Sequence, residues 1–523
     1  MSFRILDESR GPSRVALTRR QMIAVLAGGA ASLALPGGAW AGAAAGGRLR
    51  VAAPANPSSL DPATGGAGSD HPFLFPMFDT LVMWDFETLE AKPGLAESWQ
   101  FSDAKTLVLN LRSGVTFHDG TPFDAEAVKF NLERNKTAPR SNIKADLSTV
   151  EAVEVTGPMQ VTLRLQQPDS ALPLILSDRA GMMCSPTAVK KFGDDHDRNP
   201  VGAGPWKFDA WVNNERISVT RYENHWRKDV AQVAGIDFAI IPEVNTGLRS
   251  VMGGQNDFVY QLSPQQKQIM DRARNIESVS GPTLYCLQIY LNYGRKPLDD
   301  QRVRLAINHA IDREAFLKAS MMGIGEVAWM NLPKQHWAYE PSLENCWPHD
   351  PDKARQLLAE AGYKDGMDLH LLGYTDQRSV QRQEILIEQF RRAGIRCRFE
   401  NGSIAEKSAQ YFAEGRGDGI LSAWTGRPDP SLSYALMYLK DAYFNAGHAE
   451  PSPELTEAIL ASRATEDQEA RKKELATVQR IVTEQALVAP LIFQYELAGY
   501  TPKVQGFKTN LLGKPKFEGV HLA

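Results

Sequence analysis

A chain of 523 residues, 43% hydrophobic and 23% charged, is too long for one core and too apolar for disorder, so it packs as roughly two or three units. A formal net charge of −4 argues against nucleic acid or an anionic membrane surface as a partner.

The first forty residues read as a leader. Arg19-Arg20 stand just ahead of "MIAVLAGGAASLAL", an apolar run of fourteen residues that is too short and too Gly/Ala-rich to span a bilayer. Ala39-Trp40-Ala41 fits a small-x-small cleavage site with cutting after Ala41, and the twin arginine resembles a Tat export signal, with the Sec route as the alternative. The first cysteine is Cys184, which leaves no thiol for a lipid anchor near the cleavage site. The expectation is a soluble periplasmic protein. The segment 1–41 holds five arginines against one aspartate and one glutamate, so removing its +3 from −4 leaves −7.

After the leader, "RLRVAAPA" (48–55) alternates like a strand, and "NPSSLDPATGGAGSDHP" is loop. "TLVLNLRSGVTF" and "QVTLRLQQ" also alternate, which makes the first part of the mature chain strand-rich. Between them lies "VTFHDGTPFDAEAVKFNLER" (115–134), where a His-Asp pair could orient an imidazole for acid-base work or hold a metal. Asp124 suits a helix N-cap with Glu126 in the first turn, and Ala127, Phe130, Val128 and Leu132 form an apolar face. His118-Asp119-Gly120 then reads as the turn into that helix, since no second His, Cys or acid cluster has ligand or triad spacing nearby. An exported metallohydrolase using His118 and Asp119 is the competing reading.

From about residue 281 strands alternate with helices. "LYCLQIYLNY" (284–293) is a strand, and the next segment puts Val303, Ala306, Ile307, Ala310 and Ile311 on one helical stripe, with His309 off it. Asp350-Pro351 caps a helix that Gly362 ends. Segments 367–374, 395–400 and 419–424 are strands and 379–393 a helix, a βαβ succession that predicts a parallel sheet. In such sheets ligands sit beyond the carboxyl ends of the strands. The two loops leaving those ends are "TDQRSVQR", with Arg378, and "TGRPDPSLSY", with Arg427 and Asp429 after Trp424. An indole wall, a carboxylate for cations and guanidiniums for carboxylates would suit a small zwitterionic or acidic solute. Equally, Arg427 and Asp429 could shape a Pro-rich turn, with Arg378 solvated at a helix start.

The four cysteines Cys184, Cys286, Cys346 and Cys397 are far apart, which leaves disulfide pairing open and gives no zinc-ligand spacing. No G-x-S-x-G, H-E-x-x-H, G-x-x-x-x-G-K-S/T or G-x-G-x-x-G occurs, which points to binding without cofactor or catalysis.

The pieces "SSLDP" (58–62), "PGLAESW" (93–99), "LRSGVTFHDGTPFDAEAVKFNLER" (111–134), "NPVGAGPWKF" (199–208), "PLDDQRVRLAINHAIDREAF" (297–316), "DPDKARQLLAEAGY" (350–363) and "WTGRPDP" (424–430), in this order, resemble the family 5 extracytoplasmic solute-binding proteins that serve peptide, nickel and glutathione ABC importers. The resemblance implies an α/β clamshell of two lobes, mixed sheets flanked by helices, with a subdomain inserted in the first lobe. Its boundaries would be 48–283 for the first lobe with the insertion at about 80–197, 284–489 for the second, and 490–523 for the return. It further implies a monomer that delivers a small ligand to an ABC permease and ATPase complex, and a scaffold role for His118.

Carried over by position, Asp429 matches an acid that binds a peptide amine and Arg378 a carboxylate partner. Arg179 falls where nickel-chelate receptors hold chelator carboxylates. The loop with Ser69 and Asp70 corresponds to a ligand-touching loop, and Tyr285 and Gln288 would face the cleft from the crossing strand. One departure stands out: Arg427 directly follows Gly426, where dipeptide receptors have a longer, more acidic loop. That added positive charge favours a ligand with more than one carboxylate, such as glutathione, an acidic peptide, an opine-like compound or a metal chelate.

Overall fold

In the computed structural model, which describes residues 46–523, the strand Arg48–Ala53 follows the alternation of its sequence. Leu49, Val51 and Ala53 are fully buried on one face. On the other, Arg48 and Arg50 each reach an acid of a neighbouring segment, Asp237 and Asp257, both at 2.6 Å. The leader read over residues 1–41 lies outside the described residues.

This strand is the fourth of a seven-stranded sheet in the order Glu277–Gly281, Glu496–Tyr500, Phe258–Val259, Arg48–Ala53, Gly235–Ile240, Arg216–Arg221, Trp206–Val212. It runs parallel to both neighbours, and the remaining pairs are antiparallel. A separate antiparallel sheet of four strands, Ala96–Asp103, Thr106–Leu111, Gln160–Leu165 and Val150–Gly157, forms its own core under the helix Ala125–Thr137. Asp124 caps that helix by accepting the Ala127 N–H at 2.9 Å.

The second lobe is a six-stranded sheet in the order Glu326–Val327, Val488–Phe493, Cys286–Leu291, Gly419–Trp424, Met367–Tyr374, Ile395–Gly402. The βαβ succession does give parallel pairing, of Met367–Tyr374 with the strands on either side. The sheet as a whole is mixed, because Cys286–Leu291 pairs antiparallel with both of its neighbours. The apolar stripe Val303, Ala306, Ile307, Ala310, Ile311 is buried as its spacing requires. The helix that carries it ends at Ala310, since Ile311 turns extended and Asp312 caps a new helix, Arg313–Met321.

Two adjacent segments join the lobes. The first runs from Gly281 to Cys286 and the second from Phe493 to Glu496, and they are tied by Gln494 N–H to Tyr285 O at 2.9 Å and Thr283 Oγ1 to Gln494 O at 2.5 Å. Among the described residues, no helix is long and apolar enough to cross a membrane.

Candidate functional site in the cleft between the lobes

Parallel strands end where their chains turn into helices, so the carboxyl ends of Met367–Tyr374 and Gly419–Trp424 leave a crevice that only the other lobe can cover. A cavity of about 500 Å³ lies there. Its walls come from both lobes and the hinge: Tyr285, Tyr374, Arg378, Arg382 and Ser422 on one side, Gln261, Glu496 and Gly513 on the other, with Thr283 and Gln494 between. Tyr374 and Ser422 brace one wall through a hydroxyl pair at 2.9 Å.

The helix Gln377–Arg392 starts at the cavity rim, capped by Asp376, which accepts the Ser379 N–H at 3.0 Å. Arg378 in its first turn is exposed and makes no ion pair among the described residues, while Arg382, one turn on, is buried at 7% exposure. One Nη of Arg382 donates to Gln494 Oε1 at 2.7 Å, and its Nε has no partner. Burial and the like charge of Arg378 lower its pKa to about 10. The two guanidiniums lie one helical turn apart; among the described residues neither makes an ion pair, and the nearby Asp376 carboxylate acts on both through space.

A second charged group includes Lys514, the residue after the cavity-lining Gly513, although none of its members lines the cavity. Arg427 of the second lobe stands in the electric field of Asp146 and Lys514 of the first, and Asp178 and Arg179 complete the cluster. Asp146 is raised to about 6 by burial and the negative Asp178, against the pull of Arg427 and Arg179. Lys514 is lowered to about 8, by burial first and then by Arg427 and Arg179. His71, buried and bonded through Nε2 to Asp178 at 2.7 Å, falls to about 4, chiefly through desolvation.

Of the residues singled out in the sequence, Arg378 and Tyr285 line the cavity, Tyr285 at 39% exposure. Gln288 does not. It lies within the strand Cys286–Leu291, fully buried, and accepts from Asn331 Nδ2 at 2.6 Å. Trp424 lies in the core, edge-on to Phe444 with ring centroids 5.0 Å apart, and the Arg427 guanidinium sits 5.3 Å over its ring. Asp429 is 1% exposed and already committed. One oxygen caps the helix Pro430–Tyr438 by accepting the Ser431 N–H at 2.9 Å, and the other meets Arg471 Nη2 at 2.7 Å. Despite burial, the Arg471 charge holds its carboxyl below the usual range, so it has no lone charge to offer an amine.

Arg179 pairs with Asp70 at 3.0 Å, and Asp70 also accepts the Ser58 N–H and hydroxyl, each at 2.7 Å. Both therefore hold the loop together, and Ser69 beside them is half-buried. Spacing alone missed Arg382, Glu496, Lys514 and Asp146. A signal existed for two of them: Arg382 shares a helix face with Arg378, and Glu496 interrupts an otherwise uncharged run, "QALVAPLIFQYELAGY".

The residues of the competing catalytic reading are engaged in the scaffold. His118 is neutral, its pKa lowered to about 4 by burial, with Nε2 donating to Gly204 O at 2.9 Å. Asp119 accepts from Thr121 and Ser185. Asp61, Cys184 and His196 come within 4.8 Å of one another, yet Arg134 binds both oxygens of Asp61. A cation there would face a guanidinium. All four cysteines are free thiols.

The family model for bacterial extracellular solute-binding proteins, family 5 Middle, matches residues 90–445. The glutathione-binding protein GsiB of Salmonella paratyphi A is 28% identical over 431 residues, 80% of this chain and 84% of the relative. That of Shigella flexneri is 28% identical over 472 residues, 87% and 91%. HbpA2 of Haemophilus parasuis superposes with a TM-score of 0.81 at 22% identity, over 91% of this chain and 100% of its own. A dipeptide-binding protein of Pseudoalteromonas sp. SM9913, in complex with Met-Leu, gives 0.77 at 23%, over 91% and 100%. With the cleft built as described and more than half of the chain under the family model, the protein belongs to the family 5 bacterial extracellular solute-binding proteins.

Proposed function

We propose that this protein is the substrate-binding component of an ABC importer, capturing a small peptide or peptide-like solute that carries carboxylates and handing it to a membrane permease and its ATPase. The observation that carries this reading is the interlobe cavity with Arg378 and Arg382 on one wall, neither of them in an ion pair among the described residues. Export through the twin-arginine leader, action in the periplasm without a lipid anchor, a monomeric state and the absence of catalysis belong to the same reading. Glutathione is the leading candidate: it combines two carboxylates with a peptide body, and the GsiB relatives are named for it. The second charged group, which joins Arg427 to Lys514, also suits other polycarboxylates, such as an opine or a metal chelate.

Isothermal titration with glutathione, acidic di- and tripeptides, opines and nickel chelates tests the class of solute. Binding of at least one carboxylate-bearing compound is expected, with Arg378→Ala weakening it on the order of tenfold. No heat from any of them would refute the reading, and an unchanged affinity in Arg378→Ala would take that residue out of the site.

A further inference from the structure

Asp429 is neutralised by Arg471, so a solute with a free amine needs another acceptor in the cleft. Glu496 lines the same cavity as Arg378 and Arg382 but from the first-lobe side of the hinge. It is 6% exposed, and neither carboxylate oxygen has a hydrogen-bond partner. Arg382, 7% exposed, likewise keeps a buried Nε without a partner. Buried polar groups of folded proteins are nearly always satisfied, and a bound ion or ligand is one explanation of an exception. Here a guanidinium and a carboxyl that no protein cation ionises, each with a buried polar atom left unsatisfied, line one cavity without pairing to each other. Gln494, which accepts from Arg382, is only two residues from Glu496 along the return segment, so the two charges straddle the hinge.

We propose that Glu496 receives the ammonium group of the solute, while Arg382 joins Arg378 on a carboxylate, so the cleft recognises a zwitterion across the hinge. The inference rests on the carboxylate-solute reading above. Tyr260 and the backbone N–H of Asn510 are the polar protein groups beside Glu496. Neither supplies a cation, and a ligand ammonium would. Because Glu496 belongs to the first lobe and Arg382 to the second, a zwitterion joins the lobes as a single-charged compound cannot.

The test is a paired titration of wild type, Glu496→Gln and Arg382→Gln with glutathione and acidic di- and tripeptides, each beside its N-acetyl counterpart, after thermal melts show the variants folded. In the wild type, N-acetylation should weaken binding at least about tenfold, the scale of losing a buried charge pair. Glu496→Gln should abolish that preference by losing affinity for the free amines alone. Arg382→Gln should weaken both members of each pair and keep their ratio. Equal binding of free and acetylated forms by wild type, or an amine preference that survives in Glu496→Gln, overturns the assignment but leaves the receptor reading standing. A wild type that binds opines or chelates but no member of this panel overturns the assignment alone, and one that binds none of these compounds sinks both.

Discussion

Two buried acids flank the cleft, and they differ in what faces them. Asp429 meets Arg471 and a helix N-terminus, so removing it strands a guanidinium in the interior. Asp429→Ala should cost about 3–5 kcal/mol of stability, read by urea denaturation, with little change of solute affinity in the folded fraction; a selective loss of affinity would return Asp429 to the site. Glu496 has no cation beside it, and burial raises its carboxyl from 4.5 to about 8. The folded chain therefore keeps a proton that the unfolded chain releases, and stability falls as pH rises from about 4.5 to 8. Glu496→Gln removes that fall. Its gain over wild type should be small at pH 5 and reach a few kcal/mol near pH 8, at about 1.4 kcal/mol per pH unit crossed. Denaturation curves at the two pH values check this, and a gap that does not widen contradicts it.

At the scale of elements, the loop after Gly419–Trp424 depends on one glycine. Gly426 has φ +78°, and a Cβ there would lie 2.3 Å from Leu284 Cβ on the crossing segment. Gly426→Ala must push the loop off that segment, and Arg427 with it. A loss of about 1–3 kcal/mol and a weaker solute complex are expected from denaturation and titration; an unaltered loop would show both unchanged. The helix Gln377–Arg392 works the other way, because its geometry brings Arg378 and Arg382 to one face without any special backbone. From sequence, Arg378 is expected in the cleft without Arg382, and both Tyr285 and Gln288 are expected to face it, whereas Gln288 is buried against Asn331. The burial of Trp424 is likewise not legible, because local sequence does not say that Phe444 and Arg427 cover its ring.

Across the whole molecule, the lobes also meet away from the two hinge segments, through Asp169 and Arg463. Arg463 of the second lobe binds both oxygens of Asp169 in the first, at 3.1 and 2.8 Å, and its carbonyl accepts the Ser170 N–H at 2.8 Å. Asp169 is fully buried in that pair, and Leu432 of the second lobe packs into the core of the inserted sheet. Protein contacts thus join the lobes outside the cleft, and a solute can shift their equilibrium only through contacts made when the lobes are shut. Arg463→Ala should enlarge the radius of gyration of the unliganded protein in small-angle scattering, and a bound solute should restore the compact value. An unliganded variant as compact as wild type would mean the ion pair does not hold the lobes together.

Local patterning sufficed for the strands that alternate, the helices that carry an apolar stripe and an aspartate cap, and the α/β class, because those follow from periodicity and hydrogen bonds between near neighbours. It also placed Arg378 at the end of a strand facing a cleft. The partner of each charge was decided only by the tertiary fold. Asp429 and Arg471 lie 42 residues apart, Asp70 and Arg179 109, and Asp169 and Arg463 294. Whether a buried charge is neutralised or left for a ligand depends on which distant segment the chain folds against it.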